Sequence, residues 1–478
     1  MFTIRVYNSL GGKKELLPKP KQSLFRFFVC GPTVYDLSHI GHARTYIVFD
    51  AWVRFLRFSG INVSYLQNIT DIDDKIIERA RKERKNPLKL AAAMQKEYLS
   101  DMKSLGISSV NYYAPATKYI KEIQSEVSRL IKAGFAYSTK RGIYFKISKF
   151  ADYGKLSRQN LEELRSGERV ESDPEKKDPI DFAIWKFPKG DFKKEAAGPY
   201  PSLVDGEPVW AAPFGAGRPG WHIEDTAISE KNFGLTYEMH GGGMDLKFPH
   251  HEAEIAQARA LSGKKAFVKI WMHTGFLLVE NAKMSKSLGN FLTIRDFLKR
   301  YSPEILRLLV LSQHYRSPLN YTDKLSWETK HSWESLNEFF GRLELVKRKG
   351  GKNGKKLRTR ASDLRFKFLD VLADDFNSSK ALALVFAFIK EAQPRLWSLP
   401  KGEATEIYKT LVSMLAILGF TLKKAVISPK AKKMADEREQ LRVNQQFIQA
   451  DSLRKKINSL GFQLEDTPLG PFVWPKAE

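Results

Sequence analysis

The strongest constraint on what this chain can fold into is an alternation in its first hundred or so residues. Short, largely apolar runs (Leu24 to Cys30, Val63 to Gln67) alternate with amphipathic stretches of helical period (Ala43 to Phe58, Asp74 to Glu83, Leu88 to Leu105). Apolar runs too short to be core helices, each followed by a helix, argue an α/β fold with a parallel, helix-covered sheet. The first run ends at Gly31-Pro32, and the helix after it passes through Ala43, Tyr46, Ile47, Asp50 and Val53. His39-Ile40-Gly41-His42 sits at that strand-turn-helix junction. There His39 and His42 share one face near a helix N-terminus, where backbone N–H groups favour anions, and Gly41 offers no side chain to hold a nucleotide away. Far along the chain, Lys283-Met284-Ser285-Lys286-Ser287 puts two ammonium groups on a loop flanked by Gly and Asn. Mobile cations of that kind can gather the charge that spreads over a phosphate in an in-line displacement.

The sheet pattern is interrupted and then resumes. Residues 1–111 read as the first half of a nucleotide-binding domain and 112–213 as an insertion with a helix (Lys118 to Ala133), a β-like Gly142 to Phe145 and a polar, Pro-rich run. Residues 214–291 read as the second half, with strands at Tyr237 to His240 and Phe267 to Phe276. Beyond Leu292 the pattern is helical throughout, divided by an exposed linker at Lys347 to Lys356 and a break near Ser428-Pro429 into segments 292–346, 357–427 and 430–478. The last holds an amphipathic helix, Met434 to Leu460, and a mixed tail, Gly461 to Trp474. No internal repeat is visible.

At 478 residues the chain has material for two to four domains. Lys and Arg number 79 against 54 Asp and Glu, and the resulting +25 suits a polyanionic partner such as nucleic acid. No apolar run approaches the ~20 residues of a membrane span, and the N-terminus lacks a signal-peptide core, so no membrane association and a soluble, cytoplasmic protein are expected. The single cysteine, Cys30, excludes an internal disulfide framework, and no disulfide-linked partner is expected. By itself a lone cysteine reads as a small core hydrophobe. His250 and Glu254, four apart in a helical pattern, share a face and form a usual pair of metal ligands.

These motifs, together with Phe28 to Asp36, Asn68 to Lys75, Gly217 to Glu224, His240 to Gly243 and Phe248 to Glu252, resemble cysteinyl-tRNA synthetases, members of the class I aminoacyl-tRNA synthetases, from about Ile4 to Trp474. The resemblance implies a Rossmann-like sheet with an inserted connective domain, then a stem-contact region (292–346), a helical bundle (357–427) and an anticodon-binding region (430–478). It implies ATP-driven activation of L-cysteine to cysteinyl-adenylate and transfer to the 3′ end of tRNA(Cys), with Mg2+ accompanying ATP. His39, His42, Lys283 and Lys286 would carry the catalysis. Gly41, Gly241, Gly242, Gly243, Asp245 and Lys286 would bind ATP, with Asp245 near the ribose. Gly31, Thr33, Thr70, Trp221 and His240 would line the cysteine pocket, and Arg442, Phe447 and Asp466 would read tRNA bases.

The resemblance also implies a Zn2+ site, with ligands at Cys30, Asp225, His250 and Glu254. In the family the second of these is a cysteine. Thiolate and carboxylate carry the same charge, but oxygen is harder than sulfur and binds zinc at ~2.0–2.2 Å rather than ~2.3 Å. Either Asp225 ligates after a small local shift, which is the expectation, or three protein ligands and a water hold the ion. Two other functions resemble the same catalytic half: a cysteine ligase of the mycothiol-pathway type, which lacks an extended anticodon-binding region, and a non-catalytic RNA-binding paralogue.

Overall fold

The computed structural model describes residues 3–20, 23–159, 175–188, 201–263, 267–285, 288–351, 357, 360–422 and 425–476. They fall into two compact units, one comprising Thr3–Arg300 with Tyr315–Asn320, the other Tyr301–His314 with Tyr321–Glu478.

The first unit is built on five parallel strands, β1 (Phe25–Val29), β2 (Val63–Ile69), β3 (Tyr112–Pro115), β4 (Tyr237–Gly243) and β5 (Val268–Thr274), in the order β3-β2-β1-β4-β5. The apolar runs are strands because both faces of this sheet are covered: Phe25, Phe27, Phe28 and Val29 are all buried. Arg26, in the same strand, grips the buried Glu238 of β4 with Nε 2.8 Å from Oε2. Helix α1 (Ile40–Phe58) follows β1 and is buried on nearly all sides. Its Asp50 is accommodated by accepting from the backbone N–H groups of Ser108 and Ser109 at 3.1 and 3.0 Å. Strand order reverses between β1 and β4, and open parallel sheets bind their ligands outside the carboxyl ends of the strands at such a switch point. There the N–H of Cys30, just past β1, donates to the carbonyl of Gly241 at 3.0 Å.

The sheet extends further than the sequence pattern indicates. Tyr112–Pro115 belongs to it, inside the stretch read as insertion, because a four-residue edge strand with an exposed Tyr112 carries no alternation to see. The inserted segment folds around a four-stranded antiparallel sheet of Ala136–Ser138, Gly142–Phe145, Phe182–Lys186 and Arg218–Pro219, so it also reaches past residue 213.

In the second unit, helices Asp323–Lys349, Ala361–Ala373, Ser378–Ala392 and Lys401–Ile417 pack on one another. The expectation of helix throughout is corrected at the C-terminal end. The stretch from Met434 to Leu460 is two helices, Pro429–Val443 and Phe447–Ser459, broken where Gln445 takes φ +61°. The tail is a β-hairpin, Phe462–Thr467 paired with Gly470–Pro475. Its strands cover a small core of Ala431, Ala435, Ile457, Leu464 and Val473, which alone would leave either helix unpartnered. Of the linker, residues 352–356 lie outside the described residues. Among the described residues no helix is long and apolar enough to cross a membrane.

Candidate active site and metal centre

His39 is the N-cap of α1. Its Nδ1 accepts from the backbone N–H groups of Gly41 and His42 at 3.1 and 3.4 Å, and Nδ1 of His42 accepts from the N–H of His39 at 3.4 Å. This reciprocal box satisfies helix-end donors that would otherwise be orphaned. It also fixes the tautomer: with both Nδ1 atoms accepting, each neutral ring carries its proton on Nε2. The rings stack with centroids 3.8 Å apart, and burial lowers the pKa of His39 to about 4 and that of His42 well below the usual range. At neutral pH the pair is thus two uncharged N–H donors.

The lysine loop closes on the same corner. Ile40 N–H donates to Leu292 O at 3.1 Å, Ile294 N–H to Ser38 O at 2.9 Å, and the ring of Phe291 meets His39 edge-on at 5.4 Å. Asn290 ties the loop to itself, accepting from Ser285 N–H at 2.8 Å and donating to Lys283 O at 3.3 Å. Lys283, itself exposed, ends a short strand, Ala282–Lys283. Lys286 lies outside the described residues. Across the switch point, β4 ends in the glycine run. A Cβ on Gly241 would meet the Phe49 ring at 2.6 Å and one on Gly242 the His251 ring at 2.7 Å, so packing by itself demands glycine. Asp245 follows in the turn Met244–Lys247.

Between β1, helix α2 (Trp221–Phe233) and helix α3 (His250–Ser262) lies a buried cluster of donors. Cys30, Asp225, His250 and Glu254 each offer one atom within 4.8 Å of all the others, and so does a second set, Cys30, His240, His251 and Glu254. Asp225 Oδ2 lies 3.0 Å from Cys30 Sγ and 3.1 Å from His250 Nε2, which is 3.4 Å from Glu254 Oε1. Tetrahedral zinc with ordinary bond lengths needs ligand-to-ligand edges of ~3.3–3.6 Å, and the edges here run from 3.0 Å to the 3.9 Å between Cys30 Sγ and Glu254 Oε1, within small side-chain shifts of that cage. The ionisation chemistry agrees. Burial, then Asp225 and Glu254, pushes the Cys30 thiol up; burial, then Asp225, pushes Glu254 up; burial holds His240 and His251 neutral. Among the described residues the only basic side chains paired with Asp225 and Glu254 are the His240, His250 and His251 rings, and Glu254 Oε2, 3.5 Å from His240 Nε2, makes no hydrogen bond. A divalent cation supplies compensating charge, so the residues fit a metal. His250 is braced for it, its Nδ1 2.9 Å from Nδ1 of His222 and its ring stacked on Trp221 at 4.3 Å.

The residues expected to line the cysteine pocket come from the neighbouring segments. Gly31 follows Cys30, Thr33 and Thr70 form an isolated parallel bridge, and Thr70 Oγ1 donates to Glu224 Oε2 at 3.0 Å. His240 Nε2 lies 3.5 Å from Cys30 Sγ, and its Nδ1 is 2.8 Å from the Tyr237 hydroxyl. Reasoning from sequence missed His251, whose Nε2 is 3.0 Å from Cys30 Sγ and whose Nδ1 is 2.8 Å from His273. The only signal was its place beside His250.

The catalytic domain of class I tRNA synthetases (C) matches residues 17–331, and the DALR domain matches residues 367–423. The cysteine–tRNA ligase of Thermococcus kodakarensis is 42% identical over 99% of this chain and 99% of its own length. The chain belongs to the cysteine–tRNA ligase family. Another member, from Thermoplasma acidophilum, is 42% identical over 97% of this chain and 98% of its own. The methionyl-tRNA synthetase of Mycobacterium tuberculosis in complex with methionyl-adenylate shares the fold, with TM-score 0.58 at 14% identity, covering 83% of this chain and 89% of that one.

In the C-terminal region of this family member, Arg442 and Asp466 meet, Nη1 to Oδ2 at 2.5 Å, and Arg438, 1% exposed, holds both oxygens of Asp466 at 2.5 and 3.1 Å. Phe447 is exposed at the start of its helix. The Asp466 pairs latch the hairpin to the helix Pro429–Val443 and hold the carboxyl below its ordinary range, chiefly through Arg438. Asp466→Asn is expected to cost about 1–2 kcal/mol, because a buried guanidinium loses its counter-charge at a site partly open to solvent. A carboxyl with a lowered folded-state pKa stabilises above its unfolded pKa of ~3.9, and that stabilisation fades as pH falls below it. Denaturant titration of the C-terminal transition should therefore separate variant from parent at pH 7, and the gap should shrink as pH falls below about 4.

Proposed function

We propose that this chain is a cysteine–tRNA ligase that activates L-cysteine with ATP, releases pyrophosphate, and transfers the cysteinyl group to the 3′-terminal adenosine of tRNA(Cys). The observation that carries this reading is the buried set Cys30, Asp225, His250 and Glu254 at the switch point where the His39/His42 corner also lies. The ion is zinc. When bound it supplies a Lewis-acid position for the substrate sulfur, which serine's hydroxyl cannot match, so selection needs no editing site.

The chain's own residues do the rest. Gly31, Thr33, Thr70, Trp221 and His240 enclose the amino acid. The Nε2–H groups of His39 and His42 donate to the α-phosphate as charge builds on it, and Lys283 and Lys286 hold the β- and γ-phosphates. Gly41 and the Gly241-Gly242-Gly243 run admit the nucleotide, Asp245 holds the ribose, and Mg2+ travels with ATP. Arg442, Phe447 and Asp466 belong to the surface that reads the tRNA, and the +25 charge favours the encounter. The site of action is the cytoplasm.

The test is to measure both half-reactions on the full chain and on a chain ending at Pro429. Adenylate formation is expected to survive truncation while tRNA charging falls by at least about 10³-fold, the lower end of the scale of specific over non-specific nucleic-acid binding. Full-length protein that forms adenylate yet never charges tRNA would point instead to a cysteine ligase with another acceptor.

A further inference from the structure

Asp225 stands where the resemblance puts a cysteine, and a carboxylate brings something a thiolate lacks, a second oxygen. Buried beside two other acids, that oxygen either finds a donor or competes for the ion and turns the ligand bidentate. The donor is Asn68, from β2. Its Nδ2 donates to Asp225 Oδ1 at 2.5 Å, while Asp225 Oδ2 faces Cys30 and His250. Asn68 is itself held: its Oδ1 accepts from Gly31 N–H at 2.5 Å, and a flipped carboxamide would set N–H against N–H on one side and oxygen against oxygen on the other. The bracket is rigid, because the chain after β1 passes so close to β2 that a Cβ on Gly31 would lie 1.7 Å from Asn68 O. Asn68 is 1% and Asp225 0% exposed, so water does not substitute for either partner.

We infer that Asn68 is a positioning residue that makes Asp225 a one-oxygen metal ligand, adapting to a carboxylate a site otherwise suited to sulfur. This rests on Asp225 being a ligand, as proposed above.

The test is metal retention by the full-length, metal-loaded protein against a chelator, with zinc and with cobalt as a visible probe. Asn68→Ala is expected to weaken retention about 10–100-fold, the scale for partners that orient a ligand. It should also change the visible cobalt bands that report coordination number while leaving the sulfur-to-cobalt band of Cys30 in place. Asn68→Asp keeps the acceptor for Gly31 but turns an oxygen toward Asp225, and should lose at least as much. In an Asp225→Cys background, where no second oxygen needs a donor, Asn68→Ala should cost less than about threefold. Equal losses in the two backgrounds would overturn the inference, since Asn68 would then act only through the Gly31 turn, and so would full retention in Asn68→Ala or Asn68→Asp. Full retention in Asp225→Ala would instead overturn the ligand assignment itself.

Discussion

Replacing His42 by alanine is expected to lower the rate of cysteine-dependent adenylate formation by roughly 10²–10³-fold, with little change in the affinity for cysteine. The magnitude is that of one lost hydrogen-bond donor to charge that develops only in the transition state. In the proposed role His42 would be such a donor, because its Nδ1 accepts from the backbone N–H of His39 and Nε2–H is then the other end of a neutral ring. The fold should survive, since His39 still caps the helix through Gly41 N–H and loss of one capping contact costs about 1 kcal/mol. The same geometry sets the pH dependence. With His39 lowered to about 4 and His42 lower still, neither titrates near 6.5 in the free enzyme, so the activation rate should show no step there from these groups. Because both pKa values are depressed, the pair contributes instead a loss of stability as pH falls from about 6.5 toward 4. Single-turnover adenylation across pH 5.5–8 checks the first point, and denaturant titration between pH 7 and 4 the second. A variant altered only in the Michaelis constant for ATP, or a parental step near 6.5 that disappears on replacing His39, would contradict the assignment.

Asp225→Ala is expected to weaken metal retention by more than about 100-fold, since a direct ligand matters more than the partners that orient one. The alanine would leave Cys30, His250 and Glu254 as the remaining candidate ligands and strand the amide of Asn68, which loses its carboxylate. Preference for cysteine over serine should fall with the metal, because sulfur and hydroxyl are otherwise near-isosteres that packing separates poorly. Metal analysis after dialysis, with amino-acid-dependent exchange using each substrate, reads both effects. Unchanged zinc stoichiometry in the alanine variant would mean that three protein ligands suffice.

Much of this site is legible in the sequence because it follows local rules. The histidine motif is readable as a helix N-terminus, and His250 with Glu254 as one helix face. What is not legible depends on burial all round or on long-range contact. In α3 every residue from His250 to Ala258 is buried, so no polar face exists by which to choose among ligands, and His251 points into the cluster as fully as its neighbour does. Asn68 is a polar residue in a strand buried on both faces, where only the tertiary structure reveals the Gly31 and Asp225 contacts that satisfy it. Farther along, the break at Gln445 carries no Gly or Pro to announce it, and the final hairpin is held by packing on a core of five residues.

In the proposed mechanism a buried metal centre selects cysteine for activation at the His39/His42 corner. Its most direct test is ATP–pyrophosphate exchange by the purified protein with cysteine or serine, before and after chelation and after zinc is restored. Exchange is expected to depend on cysteine, to be weak with serine, to disappear with the metal and to return with zinc. Exchange that persists unchanged in metal-free protein, or that serine supports as well as cysteine, would contradict it.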